Sequence, residues 1–197
     1  MIETYEKYFR YDLEIIEKAL KSINLHCFEE LIEDCVKTIN SGHKIIASGL
    51  GKNVPICEKF VGTLLSFGID ANFLHTNTAV HGDLGMIRDG DLVIVLTKSG
   101  STAESVFLVK HVKKRSATIW LLSFEEHSVL ADSLEKKLIL SLEAEGDQWN
   151  ISPNNSTIIN LIVLQAIAIE MSKRLNVTLE EFSLNHPGGA IGEFLNG

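Results

Sequence analysis

Residues 91–97, Asp-Leu-Val-Ile-Val-Leu-Thr, are the clearest strand pattern in this chain, and Lys-Ser-Gly-Ser-Thr follows directly at residues 98–102. The strand pattern is apolar without alternation, which is typical of a parallel strand buried on both faces. The small hydroxyl residues after it predict a turn that opens a helix over residues 103–114. A buried strand followed by such a turn and helix is the repeating unit of an α/β fold.

Short apolar strands and helices alternate on both sides of this unit. The further predicted strands cover residues 43–48, 71–75, 117–123 and 137–142. The further predicted helices cover residues 53–67, 127–132 and 156–174, after a helical first forty residues and before an irregular tail. The predicted fold class is α/β, a doubly wound, flavodoxin-like parallel sheet of five strands with N-terminal helices, for which the strand order 2-1-3-4-5 is taken as a hypothesis.

Composition bounds the size of the domain and the class of partner. Its 197 residues are 45% hydrophobic, which suits one domain over residues 1–197, with residues 1–40 as a helical segment packing on it. The net charge is −8, and residues 113–115 (Lys-Lys-Arg) are the one basic run, so nucleic acid is not an expected partner.

Compartment and assembly follow from the apolar residues and the cysteines. The apolar run at residues 158–171 is too short to span a bilayer and is interrupted by polar residues. The three cysteines lack metal-type spacing, and no signal peptide precedes them, so we expect free thiols in the cytoplasm. The helix over residues 156–174 is apolar nearly all round and needs cover on several sides, which predicts an oligomer.

Two loops are predicted to form a phosphate site. Ser48-Gly49-Leu50-Gly51-Lys52 follows the first strand, and the turn containing Ser99, Gly100, Ser101 and Thr102 follows the third. In the predicted strand order these loops face each other across the switch point, where ligands of open α/β sheets bind. Each loop opens a helix, and helix N-termini attract anions. The glycine spacing matches neither a dinucleotide fingerprint nor a Walker loop.

Four other polar residues are candidates for chemistry. Glu104 follows the second loop, although Ser101 and Glu104 also fit a capping box, which is a structural alternative. Glu145 follows the fifth strand, and His81 lies in a loop with two glycines. His186 precedes Pro187, which disfavours a helical backbone and leaves a titratable ring on a corner. His75 and His81 could be metal ligands, but no third ligand is evident, so no required metal is expected.

Taken together, these residues resemble the sugar isomerase (SIS) domain, specifically the arabinose-5-phosphate isomerases of the KpsF/GutQ family. The segments that carry the resemblance are Gly-Leu-Gly-Lys at 49–52, His-Gly-Asp-Leu-Gly-Met at 81–86, Ser99-Gly100 with Glu104, Ser-Pro through Ser-Thr at 152–157, and residues 184–192 with His-Pro-Gly-Gly-Ala. Many members of the family carry a pair of C-terminal CBS domains. This sequence holds a single SIS domain without them, which is expected to be either a natural single-domain form or a form from which the tail was removed.

The resemblance implies a cytoplasmic homotetramer that interconverts D-ribulose 5-phosphate and D-arabinose 5-phosphate. It also implies that the product supplies KDO, an acid sugar of lipopolysaccharide and some capsules, with a nucleotide-linked KDO as a candidate inhibitor. Lys52, Glu104, Glu145 and His186 match the family's functional positions, and His81 lies beside them. This chain departs from the family at 98–101, where Lys-Ser-Gly-Ser replaces a frequent Asn-Ser-Gly-Glu.

The hypothesis for mechanism is proton transfer between C1 and C2 through an enediol, which needs no redox cofactor, so no cofactor is expected. The phosphate would be anchored by Ser99, Ser101, Thr102 and nearby N–H groups, and Ser48 would assist them. Lys52 would stabilise the enediolate.

Glu145 is the first choice for the base and Glu104 the second, while His186, from its own or a neighbouring subunit, would move the hydroxyl proton. Two alternatives are an isomerase for a hexulose or heptulose phosphate and a non-catalytic phosphosugar sensor.

Overall fold

The structure is a computed structural model that describes residues 2–196, one residue short of the predicted 1–197 unit at each end. Two helices come first, α1 at Ile2–Lys21 and α2 at Leu25–Asn40. The strands are β1 (Ile45–Gly49), β2 (Ala71–His75), β3 (Leu92–Leu96), β4 (Thr118–Ser123) and β5 (Lys137–Ile139). The remaining helices are α3 (Asn53–Ser66), α4 (Ala103–Val112), α5 (Val129–Ser133), α6 (Asn155–Arg174), α7 (Leu179–Leu184) and α8 (Gly189–Asn196).

The sheet confirms the predicted topology. Its five strands are parallel, in the order β2-β1-β3-β4-β5. Strand order reverses between β1 and β3, so the helices that follow these two strands lie on opposite faces of the sheet. The loops after β1 and β3 therefore diverge from each other and leave a crevice at the carboxyl edge.

Alternating strand residues build a core on each face of the sheet. Ala47 and Ile94 face a cluster that includes α2, α3 and α6, while Ile46 and Val95 face one that includes α4 and α5. The strands β1 and β3 are buried along their whole length, which explains the unbroken apolar sequence of β3.

Helix α6 packs its inner face against α3 and the N-terminal helices and leaves part of its outer face exposed. The sequence-based expectation was an apolar run too short to span a bilayer, but α6 as a whole is long and apolar enough to do so, and half of its apolar stretch is buried inside the structure. The outer residues Ile158, Ile162 and Ile169 are each about 40% exposed. The single chain therefore leaves an apolar face of α6 partly uncovered.

The tail is the main error of the sequence-based prediction, because it forms α7 and α8 rather than an irregular segment. Thr178 caps α7: its Oγ1 accepts from Glu181 N, and Glu181 Oε2 accepts from Thr178 N. This Thr-x-x-Glu capping box was present in the sequence as a helix-start signal.

The three cysteines are free thiols in the structure. Cys35 and Cys57 are buried, and burial raises the pKa of the Cys57 thiol to about 12. Both side chains serve as small apolar core residues.

Candidate active site

A cavity of about 370 Å³ lies at the carboxyl edge of the sheet, between the loops after β1 and β3 and the start of α6. The two predicted loops do face each other across the switch point, and α6 closes the third side. The residues that line the cavity are Leu50, Gly51, Lys52, Asn53, Leu96, Thr97, Lys98, Ser99, Thr102, Ser105, Pro153, Ser156 and Asn160.

The turn after β3 presents the start of α4 to the cavity. Gly100 has a φ of +60°, and a Cβ there would overlap Ser128 Oγ, so only glycine fits. Thr102 precedes the first helical residue but no side chain caps the helix start. The first N–H groups of α4 therefore lack a capping acceptor, and with the Ser99 and Thr102 hydroxyls they form an anion-binding arrangement.

The predicted capping box between Ser101 and Glu104 does not form. Thr102, not Ser101, is the residue before the helix, and Ser101 Oγ accepts instead from Val129 N at 3.4 Å. The structural alternative for Glu104 is therefore wrong. Ser101 and Gly100 shape the turn without lining the cavity.

The loop after β1 contributes the Lys52 side chain to the cavity. Asn53 N and Val54 N already donate to the Leu50 and Gly51 carbonyls, and Pro55 has no N–H. The first three helical residues therefore offer no unpaired N–H group to a ligand, in contrast to the expectation for this helix start. Lys52 lines the cavity and makes no hydrogen bond or ion pair within residues 2–196, which leaves its ammonium available to a ligand.

Ser48 and Gly49 support this loop from below. Ser48 is buried, and its Oγ lies 3.0 Å from Thr76 Oγ1, so its hydroxyl joins β1 to the residue after β2. A Cβ on Gly49 would lie 2.9 Å from Asn53 Cβ, so the glycine allows α3 to pack closely on β1. Neither residue lines the cavity itself.

Two buried polar atoms in the cavity wall have no partner in the described part of the chain. Ser105 Oγ in α4 and Asn160 Oδ1 in α6 are buried without a hydrogen bond, and both residues line the cavity. A buried polar atom without a partner is costly, so the site favours a polar ligand that supplies one. Sequence reasoning did not assign these residues to the site, although Asn160 was visible as a polar interruption of an apolar helix.

Glu145 lies beside the cavity, and its carboxylate is fully occupied. Oε1 receives Lys98 Nζ at 2.7 Å and Ser156 Oγ at 2.8 Å, while Oε2 receives Ser156 N at 3.0 Å and Asn154 N at 2.9 Å. These four donors match the four lone-pair positions of a carboxylate.

Burial alone would raise the pKa of Glu145. Lys98 and the donors at the start of α6 outweigh this effect and hold the pKa below its usual value, which keeps the group ionised at neutral pH.

Glu104 and His81 lie on the neighbouring part of the carboxyl edge. Glu104 lines a second cavity of about 350 Å³ between the residues after β2 and the first turn of α4. Its carboxylate is exposed and makes no hydrogen bond or ion pair within the described chain. His81 is an exposed residue in a short 3-10 turn, Ala79–His81, and lines neither cavity. No group of three potential metal ligands occurs among the described residues.

His186 lies at the opposite edge of the sheet. Its ring stacks on Phe182 at 4.1 Å, and Phe182 packs on Phe67, which precedes β2. A five-residue strand is ~17 Å long, so one protomer does not bring His186 to the cavity. The Phe182 carbonyl accepts from Nδ1, which leaves Nε2 of the neutral ring as a proton acceptor.

Comparison with known proteins places these features in a family. The SIS domain model matches residues 38–172. The arabinose 5-phosphate isomerase KdsD of Pseudomonas aeruginosa is 33% identical over 177 residues, which are 90% of this chain and 54% of that protein. The KdsD protein of Francisella tularensis is 32% identical over 187 residues, 95% of this chain and 57% of that protein. This chain thus spans about half the length of the curated relatives it matches.

A solved structure is similar over nearly its whole length. The protein comes from Escherichia coli CFT073 and was solved in complex with arabinose 5-phosphate. It is 30% identical to this chain with a TM-score of 0.87, and the match covers 94% of this chain and 97% of the other.

Proposed function

The chain belongs to the SIS domain family, and we propose that it is an aldose–ketose isomerase that interconverts D-ribulose 5-phosphate and D-arabinose 5-phosphate. One observation carries the proposal: hydroxyl groups, two lysines and an uncapped helix start converge on one small cavity at the switch point. The relatives named as arabinose 5-phosphate isomerases and the neighbour in complex with arabinose 5-phosphate support the choice of sugar phosphate.

In this proposal the phosphate binds at the start of α4. The Ser99 and Thr102 hydroxyls and the first N–H groups of α4 donate to its oxygens, and the positive end of the helix dipole favours the charge. This local arrangement is needed because the chain as a whole carries a net charge of −8.

The chemistry requires a base, a cation and a second proton carrier. A base takes a proton from C1 of ribulose 5-phosphate while the C2 carbonyl oxygen gains one, which forms the enediol. Return of a proton to C2 and loss of the O1 proton then give the aldehyde. Lys52 would stabilise the negative oxygen in both steps, because its ammonium has no other partner among the described residues.

We assign the base to Glu104 rather than to Glu145, the first choice from sequence. The four donors on Glu145 leave no lone pair for a substrate proton. Glu104 has an unoccupied carboxylate beside the residues that hold the phosphate, and apo geometry often tightens when substrate binds.

His186 would reach the cavity from a neighbouring protomer and move the hydroxyl proton through Nε2. The segment that carries it exposes apolar side chains, with Leu184 at 75% and Phe194 at 86%, which suits a surface that packs on another chain. We propose a cytoplasmic homotetramer that supplies KDO synthesis, and nucleotide-linked KDO is the inhibitor to try first.

Incubation with ribulose 5-phosphate in D₂O tests the proposal, with product and label followed by NMR. We expect arabinose 5-phosphate with deuterium at C2. Binding without label entering the sugar would indicate a sensor, and turnover of only a hexulose or heptulose phosphate would indicate a different isomerase. Either result would overturn the proposed function.

A further inference from the structure

Among the described residues that line the cavity, Lys98 joins two structural elements through its charge. It lies in the turn after β3, and its Nζ lies 2.7 Å from Oε1 of Glu145, which follows β5. Its side chain is 42% exposed and lines the cavity beside Ser99 and Thr97. The ammonium therefore sits at the boundary between a buried carboxylate and the open cavity.

The Glu145 carboxylate holds this ammonium in a fixed position. The Glu145 side chain is only 1% exposed, and Ser156 and Asn154 at the start of α6 hold its oxygens with three donors. A carboxylate fixed in this way cannot rotate freely, so it determines where Lys98 Nζ stands. A buried carboxylate without a cation would be strongly destabilising, which makes the pairing obligatory.

The ammonium of Lys98 keeps donors for a ligand. A lysine has three N–H donors, and Glu145 Oε1 is the one partner of Nζ within the described residues. The remaining donors face a cavity whose walls also hold the unpartnered Ser105 Oγ and Asn160 Oδ1. These polar groups lack hydrogen-bond partners until a ligand with oxygen atoms and hydroxyl groups occupies the cavity.

We propose that Lys98 is a substrate-binding residue that donates to an oxygen of the bound sugar phosphate, and that Glu145 is a positioning residue that acts through Lys98. The inference rests on the proposed function, because it places the sugar phosphate in this cavity. In this proposal Lys98 is a second cation in the cavity beside Lys52, and Glu145 has a role other than proton abstraction.

Calorimetric titration with arabinose 5-phosphate tests the role of Lys98. We expect Lys98→Met to weaken binding about 10- to 100-fold, as for a lost charge-assisted hydrogen bond. Lys98→Arg should restore part of the affinity because it keeps a cation beside Glu145. Lys110→Met, an exposed lysine in the last turn of α4, is the matched control and should bind like the unmodified chain.

Because Lys98→Met leaves Glu145 buried without its cation, the double variant Lys98→Met with Glu145→Gln provides a folded comparison without a stranded charge. Thermal unfolding checks that each variant is folded. If Glu145 acts through Lys98, the double variant should bind no more weakly than Lys98→Met alone.

Deuterium exchange separates positioning from catalysis. Glu145→Gln should raise KM more than it lowers kcat and should still introduce deuterium at C2. Loss of exchange with unchanged affinity would make Glu145 the base and overturn its positioning role. Unchanged affinity in folded Lys98 variants would overturn the inference alone, whereas no binding by the unmodified chain would overturn the proposed function and the inference together.

Discussion

At the scale of single residues, Glu104 and Glu145 differ in what surrounds them. Glu145 is buried and accepts from four donors, whereas Glu104 is exposed and accepts from none in the described chain. A general base needs an open lone pair within reach of the proton it removes. The environment, and not the residue type, therefore distinguishes the two carboxylates.

Glu104→Gln should lower kcat for ribulose 5-phosphate by ~10²–10⁴-fold and abolish deuterium exchange, because an amide cannot accept the proton. Binding of arabinose 5-phosphate should change little, and this separates a lost base from a lost fold. Glu135→Gln, at an exposed residue before β5, is the control. Near-normal turnover of the Glu104 variant would contradict the assignment.

At the scale of elements, the start of β3 is tied to β1 by a buried ion pair. Asp91 accepts from Lys44 Nζ at 2.8 Å, from Lys44 N at 3.1 Å and from Arg88 N at 2.8 Å. Burial opposes the ionised form of Asp91, but these donors hold its pKa below the usual value of 3.8. The pair connects the two strands whose carboxyl ends carry the candidate site.

Asp91→Asn should therefore lower the free energy of unfolding by about 3 kcal/mol at pH 7, because it leaves Lys44 without its carboxylate. The lowered pKa means that the stabilisation is complete above the usual pKa and is lost as the pH falls through the folded value. The difference from the unmodified chain should thus shrink below about pH 4.

Urea unfolding at several pH values measures this difference. Asp70→Asn, an exposed aspartate before β2, should show no comparable loss. A difference that stayed constant from pH 7 to pH 3 would show that the Asp91 charge does not stabilise the fold.

At the scale of the whole molecule, one protomer separates residues that the proposed reaction needs together. The cavity lies at the carboxyl edge of the sheet, while His186 packs on Phe182, and through it on Phe67, at the amino edge. Two aromatic residues of α1 are also exposed, Tyr8 at 57% and Phe9 at 66%, and so is the apolar outer face of α6. These surfaces suit an assembly in which neighbouring chains complete each other's sites.

Mixing two inactive variants tests this arrangement. His186→Ala and Lys52→Met should each be inactive on their own. After the two variants are refolded together in equal amounts, about a quarter of the sites should combine an intact Lys52 from one chain with an intact His186 from its neighbour, so about a quarter of the activity should return. A chain that carries both changes gives the background. Absence of recovery would place both residues in one protomer's site.

The parallel strands and the turns that carry the candidate site could be predicted from local sequence patterns, whereas the strand order was a hypothesis that the structure bears out. Unbroken apolar runs such as residues 92–96 are typical of buried parallel strands, and the glycine and hydroxyl residues that follow them mark the ligand-binding turns. The tail was predicted as irregular even though the Thr178 capping box signals α7, because local signals there compete with proline and glycine.

Which charged side chains meet became evident only from the folded chain. The Glu145–Lys98 pair, the unpartnered Ser105 Oγ and the distance of His186 from the cavity all depend on contacts between residues far apart in the sequence. Strand patterns depend on neighbours within a few residues, so a sequence records them directly. The donors around a carboxylate depend on packing between separate elements, and no local pattern encodes them.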